Sequence, residues 1–358
     1  MDHAGRIKKL RQKVDALDID ALLVTNLTNV RYLTGFSGSN GQVLLTDERA
    51  HFFSDGRYAA RAADLVEGAE VEIYSSRLVE VLGPRLAAEG CSKLGIESGT
   101  MTIAERDDLE EPLDDITLVP TKNLVESLRR VKDADEVSAL REAIAVSDAA
   151  FSWLLTRLGP GRSEREVALD LEVWMRQHGA DEISFEPIVG SGELSAHIHH
   201  SPSHRQVEKG DLVLLDFGSR KDGYCSDMSR TVVMGPASDR QREIYDLVLA
   251  AQAAGIEAVT EGADGVAVDA AARKVIEEAG HGKVFAHGLG HGVGLDIHEA
   301  PRLHRISEDT LLAGDVVTVE PGVYLPGWGG VRIEDCVLVT DDGCDVLGSA
   351  PKEALIEL

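Results

Sequence analysis

Four carboxylates and a group of histidines are the residues best suited to chemistry. Asp216 ends the apolar run Leu212-Val-Leu-Leu215. A carboxylate at the end of a buried strand is costly unless it is paired, protonated or bound to a metal. Asp227 stands eleven residues further on, ahead of Thr231-Val-Val-Met234. A hairpin joining the two strands sets these carboxylates side by side, where they repel and a cation between them is the natural resolution. For Asp216 alone, a turn-capping role is the plain alternative. Glu320 closes the run Val316-Val-Thr-Val319, and Glu334 lies within Val331-Arg-Ile-Glu-Asp335. Alternation along that strand puts Arg332, Glu334 and Cys336 on one side, so an Arg332–Glu334 ion pair is the structural alternative to metal ligation.

The segment Ala286-His-Gly-Leu-Gly-His-Gly-Val-Gly-Leu-Asp-Ile-His-Glu299 holds His287, His291 and His298. The His287/His291 spacing would suit a helical zinc pair, but glycines at 288, 290, 292 and 294 oppose a helix. No HExxH motif is present, because Ala300-Pro301 follows His298-Glu299. Glycine at every second residue instead lets a loop approach a ligand closely. Asp216, Asp227, His291, Glu320 and Glu334 together form a hard, oxygen-rich donor set. It suits Mn²⁺, Co²⁺, Fe²⁺ or Zn²⁺, with Mn²⁺ favoured by the excess of carboxylates. Five donors with bridging-capable carboxylates fit two divalent ions, and two ions can share a hydroxide and polarise a carbonyl in metal-assisted hydrolysis.

The elements that must position these groups fall into two sets. Up to about residue 120, short strand candidates (21–24, 42–46, 51–53, 71–74, 93–96, 116–119) alternate with helix candidates (6–17, 55–67, 77–89, 102–110), an α/β pattern. Residues 29–41, with three glycines, read as turns. A boundary near 120–133 gives domains 1–131 and 132–358. Asp133 with Glu136, and Ser163 with Glu166, read as capping boxes opening helices that stop at Gly159-Pro-Gly161 and Gly179. Strands follow at 212–217, 230–234, 316–320 and 331–339, with helices at 239–261 (Ser238 as cap) and 266–279 between them. The order helix, helix, strands occurs twice, which implies an α+β domain with a bent sheet backed by helices.

Composition sets outer limits. A chain of 358 residues exceeds one ordinary core. Acidic residues outnumber basic ones 62 to 36, a net charge of -26, which disfavours nucleic acid and anionic membranes as partners. Hydrophobic residues at 43 % suffice for packed cores and exclude wholesale disorder. The polar start lacks an apolar signal region, and no run is long enough to span a bilayer. Four cysteines without a CxxC pair fit a reducing compartment, so a cytoplasmic protein is expected. Cys225 and Cys336 read as buried filler.

The motifs LLDFG, CSDMSRT, HGLGHGVGLDIHE, TVEPGVY and GGVRIED, in this order and spacing, closely resemble the M24 metallopeptidases of pita-bread fold. Within them the chain is similar to the Xaa-Pro peptidases, aminopeptidase P and prolidase. NVRYLTGFSGSNG and FSDGRY resemble the smaller creatinase-like N-terminal domain of the same enzymes. The resemblance spans essentially the whole chain. It implies that Asp216 binds one ion through both oxygens, that Asp227 and Glu334 bridge, and that His291 and Glu320 complete the second ion. Glu320 would also shuttle a proton. It casts His298 as the group on the scissile carbonyl and oxyanion, and His287 as a substrate-side or supporting histidine. His199, out of His197, His199, His200 and His204, would face the proline side, with the other three solvated. Arg332 would orient Glu334 or Asp227, and Arg302 resembles a prolidase arginine that holds the substrate carboxylate. Intact ligands argue against the metal-free creatinases and non-catalytic scaffolds of the fold, and a methionine aminopeptidase would not need the N-terminal domain. Proline-containing peptides are the implied substrates, with an aminopeptidase P reading placed ahead of a dipeptidase. The resemblance also implies a homodimer, with the N-terminal domain limiting substrate length.

Overall fold

The computed structural model describes all 358 residues. They divide into two units, Met1–Arg129 and Arg130–Leu358. The first unit is a six-stranded sheet in the order 70–74, 50–55, 42–46, 21–24, 93–97, 117–121. The hairpin strands are antiparallel, and both flanks are extended by parallel strands. Its central strand Ala21–Val24 is buried throughout, which is why it reads as an unbroken apolar run. Residues 27–34 form a helix where turns were expected. Asn26 caps it by accepting the Thr28 and Asn29 amides, and Gly35 ends it at φ 80°. The glycines at 35, 38 and 41 follow the helix instead of interrupting it.

The second unit is built from two successive sets of helices and strands. Helices Ala134–Leu155 and Glu164–Gln177 cover strands Ile188–Ser191, Leu212–Phe217 and Met228–Val233. Helices Asp239–Glu257 and Gly265–Glu278 cover a five-stranded sheet ordered 299–303, 290–292, 316–319, 335–340, 343–346. Each set has its own apolar core. Three of the four helices begin with reciprocal capping boxes, Asp133/Glu136, Ser163/Glu166 and Ser238/Gln241, so their starts are set by local chemistry.

Two departures from simple strands shape the functional region. Residues 331–339 are not one strand. Gly329–Arg332 pairs with Gly322–Leu325, whereas Asp335–Thr340 pairs with Val316–Val319, and the chain changes sheets at Ile333–Glu334. Strand alternation therefore does not run through Glu334. The other departure lies between Leu212–Phe217 and Met228–Val233, which pair antiparallel with Asp216 opposite Ser229. The connecting backbone doubles back so closely at Gly218 that a Cβ there would lie 1.9 Å from the Ser226 carbonyl oxygen. The Ser226 hydroxyl joins Ser147 at 2.7 Å and accepts the Ser219 amide at 2.9 Å, tying this turn to the first long helix.

Gly218→Ala forces those backbones apart and should cost about 3 kcal/mol or more, the upper range for overpacking. All three tryptophans (Trp153, Trp174, Trp328) lie in the second unit, so tryptophan fluorescence during urea unfolding reads that unit directly. An unchanged midpoint would contradict the close approach.

Candidate metal centre

The carboxylates converge from four separate strand ends. Ligand atoms of Asp216, Asp227 and Glu334 lie within 4.8 Å of one another. His291 Nε2 stands 3.5 Å from Asp227 Oδ2 and 3.4 Å from Glu320 Oε1. The paired strands deliver the two aspartates, the sheet switch turns Glu334 inward, and Glu320 follows the strand Val316–Val319. His291 sits on the short strand Gly290–Gly292, whose glycines let it run against Thr318 and Ala300, with Cβ positions 1.9 Å and 2.2 Å from their carbonyl oxygens. The Thr318 hydroxyl accepts the His291 amide at 3.0 Å and donates to Glu320 at 3.1 Å, which couples the two side chains.

Arg332 is the one cation built into this cluster. Its guanidinium is buried and donates to Asp216, to the Ser229 hydroxyl at 2.7 Å and to the Tyr324 hydroxyl at 2.8 Å. Ser229 in turn donates to Glu334 at 2.8 Å. Arg332 therefore pairs with Asp216, not with Glu334 directly. One cation among four acids leaves the cluster under-compensated. Burial first, then the neighbouring carboxylates, push Asp227 and Glu334 well above the usual carboxylate range. Burial also raises Glu320 to about 8. Asp216 Oδ1 and Glu334 Oε1 are buried without any hydrogen-bond partner. Orphaned carboxylate oxygens facing other carboxylates are what a divalent cation satisfies, so the donor set fits a metal centre.

Histidines and arginines surround these acids. His287 Nδ1 lies 2.7 Å from the Gly288 carbonyl and Nε2 lies 2.8 Å from the Tyr324 hydroxyl, so both ring nitrogens are engaged within the protein. Burial, followed by the Arg332 charge, lowers it to about 3. His298 lies edge-on to His291, ring centres 4.4 Å apart, and makes no side-chain hydrogen bond. Arg302 is directly across the strand pair from His291, exposed, with no partner for its guanidinium. His199 is also exposed, and it is close enough to influence His287 and His298 electrostatically. His200, expected to be solvated, is instead held 2.8 Å from Glu164. The fully buried Glu164 carboxylate also accepts the Ser191 and Ser203 amides and hydroxyls, which fixes the loop that carries His199.

Several supporting residues carry no signal in the sequence that would mark them. Tyr324 joins His287 to Arg332, and burial pushes its phenol up to about 12, so it stays a neutral donor. Arg273, paired with Asp269 in a buried i,i+4 ion pair, donates to the Phe285 and His287 carbonyls. Asp269 accepts the Leu289 amide. The Asp269/Arg273 spacing on an amphipathic helix is visible in the sequence, but such spacing is common on solvated helices.

Comparison with known proteins gives the chain's family. The model of metallopeptidase family M24 matches residues 138–341, and that of the creatinase/prolidase N-terminal domain matches residues 6–131. The chain belongs to metallopeptidase family M24 and carries the creatinase/prolidase type of N-terminal domain. A solved Xaa-Pro dipeptidase from Bacillus anthracis is 42 % identical, with a TM-score of 0.97 over 99 % of this chain and 100 % of that one. The Xaa-Pro dipeptidase of Pyrococcus furiosus is 34 % identical over 98 % of this chain and 99 % of its own length. An X-Pro aminopeptidase structure from Thermotoga maritima is 31 % identical, with a TM-score of 0.91 over 97 % of this chain and 100 % of that one. The fold is thus the expected one, a pita-bread metallopeptidase domain following a creatinase-like N-terminal domain.

The protonation pattern has a measurable result. Folded metal-free protein keeps a proton on Glu320 up to about pH 8, whereas the unfolded chain releases it near 4.5. The folded state therefore holds more protons in that range, and stability falls as pH rises through it. His287 and His291, lowered to about 3 and 4 from 6.5, work in the opposite sense, adding stability with rising pH only up to about 6.5. EDTA-treated protein should therefore melt several degrees lower at pH 8 than at pH 6.5, and added Mn²⁺ should abolish the difference. A melting temperature that rises over this interval in EDTA would refute the buried acid cluster.

Proposed function

We propose that this protein hydrolyses the bond between a first residue and proline, with two divalent ions, Mn²⁺ foremost, held by Asp216, Asp227, His291, Glu320 and Glu334. The observation that carries the proposal is the convergence of four carboxylates and one imidazole with buried oxygens left unsatisfied. The ions, when bound, polarise the scissile carbonyl and activate the attacking water. Glu320 is the group that holds and moves a proton, between the attacking water and the leaving proline nitrogen, from its place beside His291. His298, unencumbered and beside His291, donates to the oxyanion as charge develops. His199 borders the proline ring. His287, with both nitrogens occupied, acts through Tyr324 to hold Arg332 against Asp216, and Arg332 keeps that ligand oriented.

Aminopeptidase P and prolidase share this machinery and differ in whether the substrate may continue beyond the proline. The unpaired Arg302 guanidinium supports dipeptides, because it offers a cation to a free proline carboxylate on the His291–His298 side of the site. The Xaa-Pro dipeptidases among the relatives support the same reading. The aminopeptidase reading keeps its support in the Thermotoga maritima relative. A homodimer in the cytoplasm is part of the proposal, and no helix of the chain is long and apolar enough to cross a membrane.

Hydrolysis of Ala-Pro and Ala-Pro-Ala by Mn²⁺-loaded protein, with an EDTA control, separates the readings. The dipeptide should be cut faster, and Arg302→Gln should raise its KM by about tenfold while sparing the tripeptide. Cleavage of the tripeptide alone would make the enzyme an aminopeptidase P, and cleavage of neither would remove the Xaa-Pro assignment. Glu320→Gln should keep the fold and lower kcat by about 10²- to 10⁴-fold; near-normal turnover would reject the shuttle role.

A further inference from the structure

Lys132 and Glu299 form an ion pair in the second unit, Nζ to Oε2 3.0 Å, with side-chain exposures of 0 % and 6 %. Neither residue belongs to the metal cluster. Glu299 directly follows His298 and closes the loop that carries it. Its Oε1 accepts the Asp296 amide at 3.1 Å, and the Gly294 amide donates to the Asp296 carbonyl at 3.1 Å. The carboxylate rests against Gly294 so tightly that a Cβ there would lie 2.6 Å from Oε2. The loop from Gly294 to His298 is therefore wound around the Glu299 carboxylate, and Lys132 holds that carboxylate in place.

Lys132 is itself fixed. Its amide donates to the Gly314 carbonyl at 2.9 Å, Val131 bridges to Asp315, and Arg130 makes a two-pronged ion pair with Asp315, including Nη2 to Oδ2 at 2.8 Å. His298 makes no side-chain hydrogen bond, so its ring direction depends on the backbone of this loop. A buried ion pair is a poor source of stability, because desolvation offsets the attraction and a neutral pair of similar volume holds a fold as well or better. What the charges supply here is a definite position for one carboxylate.

We propose that Lys132 is a positioning residue for His298, acting through Glu299 to set where the oxyanion donor stands. The inference rests on the Xaa-Pro hydrolase reading and deepens it. Misplacing a donor by about 1 Å costs on the order of 100-fold in rate without weakening ground-state binding. Lys132→Met should lower kcat by roughly 10- to 100-fold with KM within about threefold. It should also lower the melting temperature, since it removes the cation that balances a buried carboxylate.

The discriminating variant is Lys132→Met/Glu299→Gln. The Glu299→Gln change keeps an acceptor for the Asp296 amide while removing the unbalanced negative charge, so the melting temperature should recover while kcat stays low. In a His298→Ala background, Lys132→Met should cost little further turnover, because the two changes remove one function. Recovery of kcat together with the melting temperature would reduce the pair to a structural role and overturn the proposal. So would an undiminished kcat loss in the His298→Ala background. Wild-type protein that cuts neither Xaa-Pro peptide would instead overturn the functional reading, and the proposal with it.

Discussion

Like-charge repulsion among buried carboxylates is the constraint around which the second unit is arranged. Asp216, Asp227, Glu320 and Glu334 are brought together from different strands, with only Arg332 to compensate them. Without metal, most of that charge has to be neutralised by protons, which is why three of the four acids are held above their ordinary range. The two apolar cores provide the opposing free energy, since the helices and strands packed around them present their strand ends at the cluster. Stability and ligand geometry are thus assigned to different residues.

The glycine-rich histidine segment illustrates the same division. Its alternating glycines allow Gly290 and Gly292 to pass within van der Waals distance of neighbouring backbone, but glycines contribute no stiffness of their own. Rigidity comes from outside the segment. Arg273 and Asp269 hold the backbone of residues 285–289 at one end, and Glu299 organises residues 294–298 at the other. Both holding devices are buried ion pairs, so their geometry is insulated from solvent and salt.

What could be read from the sequence was local or repeated in type. Capping boxes at Asp133, Ser163 and Ser238 show in four-residue windows, and apolar runs ending in a carboxylate mark Asp216 and Glu320. The helix at residues 27–34 was hidden because glycines at 35, 38 and 41 lie directly beyond it and give residues 29–41 the look of a turn. The break at Ile333–Glu334 was hidden because a strand that changes partners keeps the composition of a single strand. Tyr324, Ser229 and Lys132 were not legible at all. Arg332 meets Ser229 across 103 positions, and Lys132 meets Glu299 across 167. No windowed pattern carries such pairings, because each depends on how separate sheets are stacked.

The sheet switch between Arg332 and Glu334 also bears on how this part of the chain can vary in length. Arg332 is registered by its pairing with Gly322 and Asp335 by its pairing with Val319, so two independent ladders fix the spacing between them. Adding or removing one residue at Ile333 would slide one ladder against the other and detach the guanidinium from Asp216. The tight turn at Pro326–Trp328, at the outer end of the same ribbon, is under no such double restraint. Insertions and deletions in related chains should therefore collect at that turn and be missing from the three residues 332–334.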